Sequence, residues 1–126
     1  MTKQLEEALS AALGKQETAT DEVSAPLARR MAATLGKPAD GQENGAPLPE
    51  GWHVILFTPM APTADLTEDG HPRKGEFLPD LPLPRRMFAG RTVTFENPLK
   101  IGATVERVST ITKAEIKEGR SGLLAF

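Results

Sequence analysis

The chain has 126 residues, enough for one domain. Its 15 basic and 17 acidic residues leave a net charge of −2, so no basic excess drives nucleic-acid binding, and the lack of cysteine removes disulfides, zinc-thiolate sites and a thiol nucleophile. The 11 prolines and 11 glycines exceed the usual combined share of about 12% and argue against a helical bundle or coiled coil. The start MTKQLEEALSAAL is too acidic for a signal peptide. No window approaches the ~18 apolar residues of a membrane span. These features fit a cytoplasmic protein.

Residues 4–13 place Leu5, Ala8, Leu9, Ala12 and Leu13 at helical spacing, with Thr2 as a candidate cap and Gly14 as a stop. A second helix is predicted at about 22–35, with Val23, Leu27, Met31 and Leu35 recurring beside Ala28 and Ala32. Gly36 and Pro38 end it. Two starts compete: Asp21 as cap puts Pro26 beyond the first turn, whereas Ser24 puts it at the second helical position. Residues 36–50 form a loop. The apolar run Trp52–Phe57 predicts a short buried strand. A long Pro-rich connection follows at 58–86.

The last third is β-like. Thr92, Thr94 and Glu96 alternate with Val93 and Phe95. Pro98–Gly102 reads as a turn. Ala103–Lys117 is rich in Val, Ile and Thr and predicts a strand, with a bulge to reconcile its shifted parity. The spacing of Val105, Val108 and Ile111 leaves a helix as the alternative. A strand of that length would span roughly 50 Å, so it must curl around something, and the second helix is the available object. Glu118-Gly119-Arg120 predicts a hairpin turn, and the apolar run to Phe126 an antiparallel return strand that looks unfinished.

Several stretches carry a family resemblance: Leu48-Pro49-Glu50-Gly51-Trp52-His53, Asp69-Gly70-His71-Pro72, the run Leu78–Gly90 with its LPLPRRM core, Phe95–Leu99, and Lys117–Gly122. In this order and spacing they resemble the N-terminal half of MaoC-like acyl-thioester dehydratases and hydratases. The similarity is greatest to the branch with mesaconyl-coenzyme A hydratase and type 2 3-hydroxyacyl-thioester dehydratases. Two positions depart from that branch: Phe88 where a Trp is usual, and Arg91 where a second Gly is usual. The resemblance implies an α+β hot-dog fold, an antiparallel sheet wrapped around a long helix, as one half of a double hot dog. It divides the chain into an N-terminal helical segment at 1–13 and a hot-dog domain at 14–126, incomplete at its last strand. The natural chain, or a partner, is then expected to supply a second half. The implied assembly is a homo- or hetero-oligomer, such as a dimer.

The implied reaction is hydro-lyase chemistry of fatty acid metabolism: reversible addition of water to an enoyl-coenzyme A, (R)-specific. The thioester is the substrate, and no cofactor is expected. Such chemistry needs an acid–base pair and donors for the developing enolate oxygen. In the family the catalytic Asp and His lie on the second half, and the first half shapes the acyl groove. Neither histidine here reproduces that pair. His53 sits in an apolar run, and His71 follows Asp69 in a Pro-rich loop. His71 with Asp65, Glu68 and Asp69 is too sparse a set to assign a metal. The candidate substrate-binding residues are Arg85, Arg86, Trp52, Phe57, Met87 and Phe88. The arginines end a stiff segment and suit coenzyme A phosphates or an acyl carboxylate. Ion pairing with Asp80 or Glu96 is the competing role. The aromatic residues and Met87 serve either the core or the acyl groove. Two other functions remain open: a non-catalytic acyl-thioester-binding subunit paired with a separate catalytic subunit, and a hot-dog thioesterase.

Overall fold

A computed structural model of the chain describes residues 2–73, 77–79, 81, 83, 87–120 and 122–125. The elements in order are α1 (Thr2–Ala12), β1 (Gln16–Glu22), α2 (Ala25–Thr34), β2 (Thr104–Thr110), β3 (Ile116–Gly119) and β4 (Gly122–Ala125). Short 3₁₀ turns lie at Trp52–Ile55 and Thr63–Asp65. β1 pairs with β2, and β3 with β4, as two two-stranded sheets. The fold is mixed α and β with antiparallel pairing. No helix among the described residues is long and apolar enough to cross a membrane.

The chain divides into two compact units. The first comprises Met1–Glu17, Met60–Gly90 and Val108–Phe126. Here α1 buries Leu5, Leu9 and Ala12 and leaves Leu13 at the surface. The helix begins at Thr2 itself, so Thr2 is part of it rather than its cap. Gly14 takes φ 81°, and its N–H donates to the Ile111 carbonyl at 2.8 Å. The Ile111 N–H donates in turn to Lys15 at 3.0 Å. The predicted hairpin is present: Ile116 pairs with Ala125 and Gly119 with Gly122, antiparallel.

The second unit comprises Thr18–Pro59 and Arg91–Arg107. Its core gathers Val23, Ala25, Ala28, Ala32, Leu48, Trp52, Leu56 and Ile101. Ser24 is the cap of α2: its side-chain oxygen accepts the Leu27 N–H at 3.2 Å. That choice puts Pro26 where its missing donor costs nothing. At the other end Gly36 takes φ 67°, while Lys37 and Gly36 donate to the Ala32 and Ala33 carbonyls. This is a Schellman stop. The buried stripe of α2 is Ala25, Ala28 and Ala32, with Leu27 and Met31 packed at its flanks and Leu35 exposed. Small residues therefore form the contact face, and the larger ones predicted there border it.

Segment 99–103 is held from both sides. Leu48 donates to Leu99 at 2.7 Å and Ile101 to Ala46 at 2.9 Å, while Val23 exchanges bonds with Gly102 and Ala103. These bonds bury Ile101 almost completely.

Several expectations differ from the structure. Trp52–Ile55 is a 3₁₀ turn, not a strand. Gly51 enters it at φ 89°, and Trp52 and Leu56, four residues apart, share the buried face. Arg91–Glu96 is irregular although its residues alternate. The single strand over 103–117 is two, β2 and β3, broken at 111–115; the break separates Ile111 from Ile116, and Val108, off the parity of Val105, lies on the exposed face of β2. α2 has ten residues, shorter than the long helix that the resemblance implies. β1 was not legible: QETATDE carries no large apolar residue, and its strand form comes from pairing with β2.

Candidate functional site: an apolar cleft in the second unit

A cleft of about 470 Å³ opens in the second unit. One wall is the turn after Leu48, which presents His53, Leu56 and Phe57. His53 and Phe57, four residues apart, are both half-buried. The facing wall is the irregular stretch 93–99, with Val93 and Phe95 about half exposed. The floor includes Val105 and Arg107, the half-buried positions of β2.

Aromatic and cationic contacts fix the walls. The rings of His53 and Phe95 meet edge to face, with centroids 5.8 Å apart at 71°. The Arg107 guanidinium lies over the Phe57 ring, 5.0 Å from its centroid. Phe57 itself has φ 59°. A bulky residue in that region is strained by about 1–3 kcal/mol. Its N–H donates to Asp21 Oδ2 at 2.7 Å, and the other oxygen of Asp21 accepts the Glu22 N–H at 2.7 Å. These two donors, Phe57 foremost, hold the Asp21 carboxyl below its usual range. The cleft thus offers an apolar trough with charged groups, Glu50, Glu96, Glu106 and Arg107, along it. Such a lining suits a ligand with an extended apolar segment and a polar end.

Of the predicted site residues, Phe57 lines this cleft. Trp52 is buried in the core of the same unit and does not line it. Met87 and Phe88 belong to the first unit, 78% and 75% exposed. Arg85 and Arg86 lie outside the described residues. Sequence reasoning did not place Asp21, Phe95 or Arg107 in a functional site. The available signal was the shared parity of Val105 and Arg107 on one strand. Phe95 and Asp21 reach the site only through tertiary contacts.

In the first unit, His71 Nδ1 lies 2.9 Å from Asp69 Oδ2. Asp69 also accepts the Thr67 hydroxyl and the His71 N–H, so its carboxyl is held well below the ordinary range, Thr67 contributing most. Both partners are about half exposed. The pair closes a turn whose backbone bond runs from the Thr67 N–H to the His71 carbonyl at 2.8 Å. Among the described residues no group of three or more His, Asp or Glu side chains is placed to hold a metal ion.

Residues 51–125 match the family described as hydroxyacyl-thioester dehydratase type 2. Over 114 residues, 90% of this chain, the sequence is 43% identical to mesaconyl-C(4)-CoA hydratase of Chloroflexus aurantiacus. The chain belongs to the MaoC-like family of acyl-thioester hydratases and dehydratases. It spans 41% of the length of that Chloroflexus relative.

Proposed function

We propose that this chain is the N-terminal, substrate-shaping half of an enoyl-coenzyme A hydratase or 3-hydroxyacyl-thioester dehydratase with a hot-dog fold. The observation that carries the reading is the cleft in the second unit, apolar along its length and bordered by charge, in a chain of this family. In this reading Phe57, Leu56, Val93 and Val105 surround the acyl chain and exclude water from it. The reaction adds a hydroxyl to C3 and a proton to C2 of the enoyl thioester. In this reading the acid–base pair comes from a second half, in cis or in trans, as the family resemblance implies. A short dicarboxylic acyl group, like that in the Chloroflexus relative's name, is the first substrate to try. Arg85 and Arg86 are assigned to the coenzyme A phosphates or an acyl carboxylate.

The test uses the full natural chain with mesaconyl- and crotonyl-coenzyme A, following loss of the conjugated-enoyl absorbance. Turnover by the purified chain supports the reading. Turnover only after a separately encoded subunit is added assigns this chain the accessory role. Release of free thiol without loss of the enoyl group would replace hydration by thioester hydrolysis.

A further inference from the structure

We propose that Asp21 is a positioning residue that sets the acyl-chain selectivity of the cleft by fixing Phe57 in its left-handed backbone conformation. The proposal rests on the reading of the cleft as an acyl groove.

Phe57 is the only non-glycine residue among those described with a positive φ. Such a conformation persists only where the surroundings over-determine it. Three contacts do so here. The preceding turn is closed by the Leu56 N–H on the His53 carbonyl at 3.0 Å. The Arg107 guanidinium covers the ring. Asp21, 36 residues earlier in the chain, accepts the Phe57 N–H. The Asp21 side chain is itself fixed, because each of its oxygens takes a different backbone N–H. A carboxylate serves both donors, whereas an asparagine has one acceptor oxygen for the two.

Phe57 relaxing to a negative φ would swing its Cβ and withdraw the ring from the wall it shares with His53 and Leu56. The cleft would widen on that side. Asp21 does not line the cleft, so its effect on an acyl chain passes through Phe57.

The experiment measures kcat and KM in the full natural chain, with its catalytic half, on straight-chain 2-enoyl-coenzyme A substrates of graded length. Asp21→Asn is compared with wild type, Phe57→Gly and the double variant. Glycine takes a positive φ freely and has no ring to place. Asp21→Asn is expected to shift the kcat/KM ratio between the shortest and longest substrates by about 5- to 10-fold, through KM. The same change should leave the ratio unmoved in the Phe57→Gly background. Phenyllactic acid placed at position 57 by nonsense suppression removes this one donor while keeping the ring and Asp21. It is expected to reproduce the shift, and it serves where Asp21→Asn does not fold. A chain-length profile unchanged in the folded variants, or an Asp21→Asn shift that persists without the ring, overturns the proposal. Failure of the wild type to turn over any enoyl thioester overturns the acyl-groove reading and this proposal with it.

Discussion

Asp21 shows how much one half-buried strand carboxylate does when it accepts two backbone N–H groups. Its pKa is lowered in the folded chain, so the unfolded chain binds the proton more readily. The stabilisation is therefore complete above the ordinary value of 3.8 and is lost as pH falls through the lower, folded value. Asp69 and Glu115 are lowered too, the first mainly by the Thr67 hydroxyl and the second by Lys113 and then Lys117. The melting temperature should thus drop as pH falls below about 4. Asp21→Asn should flatten part of that drop, leaving the share from Asp69 and Glu115. Thermal melts of both proteins across this range check the expectation; identical slopes would contradict it.

At the scale of elements, α2 packs through its smallest side chains. Ala32 is fully buried in a close-packed contact, so Ala32→Leu should destabilise by about 1–3 kcal/mol through overpacking. Leu35→Ala, at an exposed position, should change stability by about 0.5 kcal/mol or less. Denaturant titrations of the two variants decide between this packing and one led by the large residues. The C-terminal end of α2 was legible and its start was narrowed to Asp21 or Ser24, because caps are local chemistry: Ser24, Gly36 and Pro38 act on neighbours within a turn. The hairpin at Gly119 was legible for the same reason. Trp52–Phe57 and Arg91–Glu96 were not. An apolar run fits a strand or a helical turn, and an alternating run becomes a strand only beside a partner. The site followed the same division. Phe57 stood out by its type. Asp21 and Arg107 acquire their roles from contacts over long sequence separations, 36 residues for Asp21 and Phe57.

For the whole molecule, the two compact units give the proposed function a spatial test. Binding of an acyl-coenzyme A should slow amide hydrogen exchange at 53–57 and 93–99, the two walls of the cleft. The Thr67–His71 turn, in the other unit, should exchange at its unliganded rate. Protection confined to that turn would move the acyl site out of the cleft. The two walls also differ in what they owe to the core. Leu56→Ala, on the first of them, should cost about 2–5 kcal/mol. Val93→Ala, on the half-exposed wall, should cost about 0.5 kcal/mol. Chemical denaturation of both variants measures the contrast. A trough with one side built into the foldable core and the other laid against it has one wall that can change at little cost to folding. Under the proposed function, residues 93–97 are where redesign of the cleft can begin without renegotiating the rest of the chain.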